Sequence, residues 1–256
     1  MDGEMEGKVA LITGGSSGIG RATAAEFAGR GVNVMIGDLD VEGGEETVGL
    51  VREIGCDASF VKTDVSQSQE VEMLVAATVD QFGQLDYGFN SAGAVKPHLE
   101  AISPTHEYPE ENFDQIIAVN LKGVWLCVKH EVREMLTRGG GAIVNASSAL
   151  GLVGLPNLSG YVASKHGVVG VTKTAALEYA DHGIRVNAVC PGYIQTPMTQ
   201  ARLEEPEAKE QIQALHPIGR VGQPEEVAKA VVWLCSDSAS FVTGHAMAID
   251  GGWTAG

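Results

Sequence analysis

The fold is decided by residues 9–20, VALITGGSSGIG. The run from Val9 to Thr13 is apolar and has the length of a buried strand. A loop containing Gly14 and Gly18 follows it, and apolar residues at helical spacing extend from Ile19 to Arg30. This order of strand, glycine loop and helix predicts the first unit of an α/β fold.

The rest of the chain repeats this alternation. Further strands are predicted at Asn33 to Ile36, Ala58 to Lys62, Tyr87 to Asn90, Ala142 to Ala146, Arg185 to Val189 and Ala246 to Ile249. Helices are predicted from the end of the second strand to about Ile54, and at Gln67 to Phe82, Phe113 to Thr137, Ser159 to Ala180 and Pro224 to Leu234. We expect a loop at Ala94 to Glu111 and an irregular segment with a short helix at Pro191 to His216. The pattern predicts a doubly wound, seven-stranded parallel sheet with helices on both faces.

Composition narrows the domain organisation and the class of partner. The 256 residues are 44% hydrophobic, with no linker or repeat, which predicts a single domain over residues 1–256. The chain has 33 acidic and 17 basic residues, and its net charge of −16 argues against nucleic-acid and anionic membrane partners. The acidic start has no apolar leader and no window reaches the ~20 apolar residues of a membrane span, so we expect a cytoplasmic protein.

Neither the cysteines nor the histidines are spaced as metal ligands. The four cysteines form no C-x-x-C pair and are interpreted as reduced, structural thiols. The seven histidines lack a pattern such as H-x-x-x-H, and no metal site is expected. His98, His106 and His216 lie in predicted loops, where most histidines are simply exposed.

The glycine loop is the first candidate binding site. Its spacing, G-x-x-x-G-x-G over Gly14, Gly18 and Gly20, allows the backbone to approach a pyrophosphate while the helix N-terminus faces the charge. Such a loop alone is often only a tight turn. Here Asp38 ends the second strand, where a carboxylate can accept hydrogen bonds from ribose hydroxyls, and the combination predicts dinucleotide binding.

A second candidate site is the pair Tyr161 and Lys165. The two residues are four apart on a predicted helix, so their Cβ atoms are about 6 Å apart on one face. An ammonium at ~6 Å, with an effective dielectric of ~20, favours a phenolate by roughly 3 kcal/mol. We therefore expect Lys165 to lower the pKa of Tyr161 and make it an acid or base. Ser148 would hydrogen-bond the same substrate oxygen, although the bare pattern is more often a solvent-exposed helix face.

Taken in order, the motifs resemble the classical short-chain dehydrogenase/reductase family. They are the glycine loop, Asn90-Ser91-Ala92-Gly93, Asn120, Ser148, Tyr161 with Lys165, and Pro191-Gly192. The resemblance extends from Lys8 to Trp253 and implies a Rossmann fold, a nicotinamide cofactor and hydride exchange with an alcohol or carbonyl. The sequence Asn90 to Gly93 departs from the more usual Asn-Asn-Ala-Gly, and Tyr87-Gly88-Phe89 is an odd fourth strand.

The resemblance also implies a catalytic tetrad of Asn120, Ser148, Tyr161 and Lys165. Tyr161 would exchange the substrate proton, Ser148 would position the oxygen, and Lys165 would also bind the nicotinamide ribose. Asn120 would hold a water that links Lys165 to solvent. Ser148 is preferred to Ser147 because its separation from Tyr161, thirteen residues, matches the family pattern.

Nineteen positions are expected to contact the cofactor by the same resemblance. They are Gly14, Ser16, Ser17, Gly18, Ile19, Gly20, Asp38, Leu39, Asp64, Val65, Asn90, Ala92, Gly93, Tyr161, Lys165, Pro191, Gly192, Ile194 and Thr196. Asp38 favours NAD over NADP because a carboxylate repels a 2′-phosphate, and neither Ser17 nor Leu39 supplies a compensating base. Asp38 could instead cap the next helix, and Asp64, expected at the adenine amine, could equally be a cap.

The substrate is expected to be a largely apolar or cyclic secondary alcohol or ketone. Its pocket would be built from Ala94 to His106, Ala149 to Gly160 and Tyr193 to Leu215, and the first two segments contain no Arg. Residues of about 193–216 would form a variable substrate lid. The alternatives are a carbonyl reductase that uses NADPH, and a non-catalytic NAD-binding regulator of the same fold.

Two helices are apolar on more than one side. They cover Ile116 to Val128 and Val162 to Leu177, and a helix that is apolar all round is buried on all sides. A deep core within one subunit would account for one face only. The resemblance implies that these helices pack against their copies, so we expect a homodimer or homotetramer.

Overall fold

The computed structural model describes residues 4–93 and 102–256. Within these ranges the strands are β1 Val9–Thr13, β2 Asn33–Asp38, β3 Ala58–Lys62, β4 Tyr87–Asn90, β5 Gly141–Ala146, β6 Ile184–Pro191 and β7 Ala246–Ile249. All pairings are parallel, and the order in the sheet is β3-β2-β1-β4-β5-β6-β7. This confirms the predicted doubly wound, seven-stranded parallel sheet and places its switch point between β1 and β4.

Helices cover both faces of the sheet. In the described ranges they are α1 Gly18–Ala28, α2 Val41–Ile54, α3 Ser68–Phe82, α4 Glu110–Ile116, α5 Val124–Arg138, α6 Ser159–Tyr179, α7 Pro197–Glu204, α8 Pro206–Ala214 and α9 Pro224–Cys235. A π-helical segment, Ile117–Gly123, joins α4 to α5. Most of these helices begin or end where the sequence places Pro or Gly, because Pro lacks the N–H that a helix interior requires and Gly adopts the left-handed cap.

Alternation along the strands produces two apolar cores. Ile12 on β1 packs with Phe27 of α1 and Val231 of α9 on one face. Its neighbour Leu11 packs with Leu74 of α3 on the other face, together with apolar residues of α5 and α6. Successive strand side chains point to opposite faces, so a sheet buried on both sides requires continuous apolar runs such as the one in β1.

Three connections differ from the sequence-based expectation. The helix predicted from Phe113 already begins at Glu110, directly after Pro109, and the π-helical segment Ile117–Gly123 interrupts it. The segment from Pro191 to His216 holds two helices, each with Pro at its first position, instead of one short helix. Residues 94–101 of the predicted loop lie outside the described residues, and a 3₁₀ turn follows at Thr105–Glu107.

No helix in the described part of the chain is both long enough and apolar enough to span a membrane. The four cysteines are unpaired thiols, and Cys127, Cys190 and Cys235 are buried.

Candidate active site

The loops predicted to carry function meet along one edge of the sheet. Thr13 at the end of β1 pairs with Asn90 of β4, which pairs with Asn145 of β5. Since all strands run in the same direction, the segments that follow them leave the sheet at this edge. Ser148 follows β5 there, and Gly192 follows β6.

The glycine loop is folded tightly by contacts that exclude larger side chains. Gly14 has φ +71°, and a Cβ there would lie 2.6 Å from the backbone nitrogen of Ala92. A Cβ at Gly20 would collide with the carbonyl oxygen of Gly14. Gly18 begins α1 at φ +52°, and the Ser17 side chain does not cap that helix. The loop therefore exposes its backbone and the N-terminus of α1, which the Ser17 side chain does not cap. A bound pyrophosphate requires both features.

Asp38 is tied to the glycine loop, and it is not the cap of α2. Its Oδ2 accepts hydrogen bonds from the Ser16 backbone nitrogen at 3.1 Å and the Ser16 hydroxyl at 2.6 Å. The cap of α2 is Asp40, whose carboxylate accepts from the Gly43 nitrogen at 3.2 Å. The structure thus excludes the capping alternative for Asp38 and leaves its carboxylate at the end of β2, beside the loop. Leu39 next to it is exposed.

Asp64 and Val65 lie at the end of β3 and have separate contacts. The Asp64 carboxylate accepts from the Ser66 nitrogen at 2.9 Å in a local turn, and the cap position of α3 is Gln67. Val65 is buried against the π-helical segment, where a Cβ on Gly123 would lie 2.8 Å from its side chain. Asp64 is therefore not a helix cap either.

Ile19 and Thr196 complete the surroundings of the glycine loop. The side chain of Ile19 packs against the apolar core, so a cofactor contact at this position would involve its backbone. Thr196 caps α7 through reciprocal bonds with Thr199, and its methyl carbon lies 3.2 Å from where a Cβ on Gly18 would be. The loop after β6 and the glycine loop are thus neighbours.

Ser148, Tyr161 and Lys165 form one cluster at the carboxyl end of β5. The Lys165 Nζ donates to the Ala146 carbonyl at 2.9 Å and lies 5.6 Å from the centroid of the Tyr161 ring. The Ser148 hydroxyl accepts from the Leu150 nitrogen at 3.1 Å and also hydrogen-bonds the Tyr161 phenol. The Ser148 hydroxyl and the Tyr161 phenol are therefore hydrogen-bonded neighbours, and the Lys165 ammonium lies over the Tyr161 ring.

Ser147 has a different role from its neighbour. Its hydroxyl donates to the Lys165 carbonyl at 2.9 Å and is buried, which fastens the middle of α6 to the end of β5. A Cβ at Gly151 would collide with this hydroxyl. The choice of Ser148 as the residue that faces Tyr161 agrees with this geometry.

The ionisation of the pair differs from the sequence-based expectation. Although part of the Tyr161 surface remains exposed, burial raises the pKa of its phenol, the Ser148 hydrogen bond lowers it, and the neighbouring Tyr193 phenol raises it. Burial also lowers the pKa of Lys165 to about 8. The expectation that Lys165 lowers the pKa of Tyr161 overall was wrong for the chain by itself, because burial raises the pKa of the phenol more than the Ser148 hydrogen bond lowers it.

Asn120 occupies the π-helical segment and is 1% exposed. Its side-chain oxygen is 3.6 Å from where a Cβ on Gly93 would be. The neighbouring Leu121 packs on Gly167 of α6, so the segment is seated against the helix that carries Tyr161. Single π-helical turns inside α-helices are frequent at functional sites, and this one turns Asn120 inward.

Asn90 faces the protein interior, and its partner Glu131 was missed by the sequence analysis. The Asn90 amide donates to the Glu131 carboxylate at 2.9 Å and to Asn145 at 3.0 Å. Burial raises the pKa of Glu131 to about 7. A Cβ at Gly88 would lie 2.7 Å from the Glu131 carboxyl carbon, which explains the glycine in a central strand. A cofactor contact at Asn90 would have to come from its backbone.

The loop after β6 is held by a buried histidine. The Tyr193 nitrogen donates to His216 Nε2 at 3.1 Å, and a Cβ on Gly192 would lie 2.6 Å from that atom. His216 is 3% exposed, so the expectation of an exposed loop histidine was wrong here, whereas His106 is exposed. His98 lies outside the described residues, as does part of the predicted pocket wall, residues 94–101.

In the described residues, no three His, Cys, Asp or Glu side chains are grouped so that they could hold a metal ion.

Comparison with known proteins identifies close relatives over the whole length. A family model described as Enoyl-(Acyl carrier protein) reductase matches residues 14–254. Cyclohexanol dehydrogenase of an Acinetobacter species is 46% identical over 254 residues, 99% of this chain and 98% of that protein. A 2,5-dichloro-2,5-cyclohexadiene-1,4-diol dehydrogenase of Sphingobium indicum is 44% identical, covering 98% of this chain and 99% of that protein. The crystal structure of levodione reductase has a TM-score of 0.93 and 39% identity, covering 98% of each chain.

Proposed function

The chain belongs to the short-chain dehydrogenase/reductase family, and we propose that it interconverts a cyclic, largely apolar secondary alcohol and its ketone with NAD as the cofactor. The observation that carries the chemistry is the cluster of Ser148, Tyr161 and Lys165 at the sheet edge. One titratable phenol has a hydrogen-bonding hydroxyl on one side and a buried ammonium on the other. Such a cluster can hold a substrate oxygen and transfer its proton.

The residues present fit a nicotinamide dinucleotide. Gly14 and Gly20 pack against neighbouring backbone and fold the loop tightly, and Gly18 has φ +52° at the start of α1, the N-terminus that would face the pyrophosphate. Asp38 would hold the adenosine ribose, Asp64 and Val65 the adenine, and Lys165 the nicotinamide ribose. The nicotinamide, when bound, supplies the acceptor or donor of hydride.

The remaining chemistry belongs to side chains of the chain itself. In alcohol oxidation the Tyr161 phenolate takes the proton of the substrate hydroxyl, and in ketone reduction the phenol returns it. The Ser148 hydroxyl hydrogen-bonds the same oxygen and fixes its position. Lys165, held on the Ala146 carbonyl, stabilises the phenolate while it remains charged, that is, below its pKa of about 8. Asn120, turned inward by the π-helical segment, would hold the water of the proton relay.

The negative charge at the end of β2 favours NAD over NADP. Asp38 places a carboxylate beside the glycine loop, and neither Ser17 nor Leu39 offers a positive charge to a 2′-phosphate. Arg21 lies near this site, but its guanidinium donates to the Ser16 carbonyl and, at 2.8 Å, to the Glu46 carboxylate. The Arg21 guanidinium is therefore engaged within the chain, and a 2′-phosphate at the end of β2 would meet the Asp38 carboxylate.

The ring-shaped substrate is proposed from relatives and from the described pocket wall. Two relatives are named for six-membered ring alcohols, cyclohexanol and a cyclohexadienediol. Ala149 and Leu150 are buried beside Ser148, and Leu152 follows them. Apolar surface of this kind stabilises an apolar ring by removing it from water.

We also propose that the protein is a dimer or tetramer. Trp125 of α5 is 47% exposed and Leu177 of α6 is 85% exposed, on the two helices that the sequence shows to be apolar on more than one side. Large apolar side chains left in water on adjacent helices are typical of a surface that a second subunit covers.

A turnover screen tests the proposed function. Purified protein is mixed with NAD⁺ or NADP⁺ and with cyclohexanol, an aryl alcohol, a sterol or a sugar alcohol, and reduced cofactor is followed by absorbance. We expect turnover with NAD⁺ and cyclohexanol, and less with the sugar alcohol. Turnover only with NADP⁺ would support the carbonyl reductase alternative. Binding of NADH without turnover of any alcohol or ketone would support a non-catalytic regulator.

A further inference from the structure

His216 lies at the point where the lid meets the loop after β6. It follows α8 directly, and its Nδ1 contacts the Ile212 carbonyl at 2.8 Å. Its Nε2 contacts the Tyr193 backbone nitrogen at 3.1 Å. A backbone N–H can only donate, so Nε2 is the acceptor and Nδ1 carries the proton that it donates to Ile212. The imidazole that makes both contacts is therefore neutral.

His216 is one of three aromatic rings that meet from three parts of the chain, the others being Tyr193 and Trp253. Tyr193 stacks on Trp253 with centroids 6.0 Å apart and an interplanar angle of 17°. His216 meets the same Trp253 edge-on at 5.5 Å, and Tyr193 at 6.2 Å. Such geometries add stabilisation beyond the apolar area that the rings bury. The C-terminal segment, the end of the lid and the β6 loop are thus joined through one cluster.

The cluster adjoins the reacting groups through Tyr193. The Tyr193 phenol is close enough to Tyr161 to disfavour its ionisation electrostatically. Tyr193 is half-buried, and Trp253 supports it from one side. Tyr193 follows the carboxyl end of β6, and β6 pairs with β5, the strand that Ser148 follows.

We propose that His216 is a positioning residue that sets Tyr193 as an aromatic wall for the substrate ring. This inference rests on the proposed function, since it concerns the ring of the same substrate. Ile194 and Thr196 have supports besides His216, namely a β-bridge to Gly222 and bonds to Thr199. Loss of the Tyr193 contact should weaken substrate binding more than cofactor binding or chemistry.

Two substitutions separate hydrogen bonding from shape. H216F keeps a ring but removes the acceptor, whereas H216Q places an amide oxygen at about the distance of Nε2. For H216F we expect an alcohol KM about 10-fold higher, with the NAD⁺ KM and kcat changed by less than about 3-fold. H216Q should recover most of the wild-type KM, because its amide oxygen can accept from the Tyr193 nitrogen.

Amide exchange provides a second readout that needs no substrate. The Tyr193 N–H should exchange slowly in wild type and H216Q and faster in H216F, because only the first two offer an acceptor. A wild-type KM in H216F, or a KM in H216Q raised as far as in H216F, would overturn the proposal. If no alcohol is turned over, the proposed function fails, and equal Tyr193 exchange in all three proteins would separately overturn the role of His216.

Discussion

The pKa of the Tyr161 phenol is subject to opposing effects. Burial raises the pKa of its phenol, while the Ser148 hydrogen bond favours the ionised form. Burial lowers the pKa of Lys165 to about 8, so its ammonium remains mostly charged at neutral pH. At neutral pH the chain therefore holds a neutral phenol beside a charged ammonium. That state is prepared to give a proton to a ketone, and alcohol oxidation is favoured by higher pH.

Asp38 provides a test of cofactor choice at the scale of a single residue. D38N keeps the size of the side chain and one oxygen acceptor for Ser16 but removes the charge that repels a 2′-phosphate. We expect the ratio of kcat/KM for NADP⁺ to that for NAD⁺ to rise about 10- to 100-fold. Asp38 is partly exposed, and solvent screening of its charge decides where in this range the change falls. D40N is the matched control, because Asp40 caps α2 and does not bond the glycine loop. An unchanged ratio in D38N, or an equal change in D40N, would remove Asp38 as the determinant.

At the scale of elements, α5 carries a carboxyl group into the core. Glu131 is fully buried, accepts from the Asn90 amide, and occupies the space that a side chain at Gly88 would need. Within the described ranges, one oxygen of the Glu131 carboxyl and the side-chain oxygen (Oδ1) of Asn90 have no hydrogen-bond partner. A buried carboxylate without full compensation is costly, so the protonated acid is the form that this site favours.

This carboxyl makes stability depend on pH with a defined sign. Burial raises the pKa of Glu131 from 4.5 to about 7 in the folded state, so the folded state binds more protons between these values. Stability is therefore lost as pH rises from about 4.5 to about 7, by at most about 3 kcal/mol. E131Q should remove this loss and be more stable than wild type at pH 8, as measured by urea unfolding. Partly exposed Glu134 on the same helix supplies the control E134Q, and equal pH slopes in all three proteins would contradict the assignment.

The elements that sequence could predict are those with a local cause. Strand β1 was predicted with its observed ends, because its apolar run stops at the glycine loop. The π-helical segment could not be predicted from local sequence, because the segment that turns Asn120 inward packs on α6 through Leu121, a contact between residues distant in sequence. Glu131 was overlooked because its partner Asn90 is far away in sequence. The signal was present in Gly88, a glycine in a central strand, which marks close approach of another group.

In the site, too, the sequence predicted features with local causes and did not predict those that depend on contacts between distant segments. Helical spacing predicted that Tyr161 and Lys165 share a face, and the cluster with Ser148 has that form. Spacing could not predict how deeply the pair is buried, and burial determines both pKa directions. His216 was placed in an exposed loop because its contacts with Tyr193 and Trp253 join segments distant in sequence.

For the whole molecule, the sheet and its two cores account for one subunit and leave apolar surface on α5 and α6. Leu177 is 85% exposed, so its substitution by a charged residue costs the isolated subunit little. If a second subunit covers it, L177E would bury an unpaired charge and dissociate the assembly.

Light scattering after size exclusion measures this assembly directly. We expect a dimer or tetramer for wild type and a smaller species for L177E. M73E, at a half-exposed position on α3, is the matched control and should keep the wild-type mass. A monomeric wild type, or an L177E variant with unchanged mass, would contradict the proposed interface.

The most direct test of the proposed chemistry is the turnover of Y161F with NAD⁺ and cyclohexanol. The substitution removes one oxygen and leaves the ring, Ser148 and Lys165 in place. We predict that kcat falls by roughly 10²- to 10⁴-fold while NADH binding, followed by its fluorescence, is unchanged. Wild-type turnover in Y161F, with NADH bound as before, would contradict the assignment of Tyr161 as the group that transfers the substrate proton.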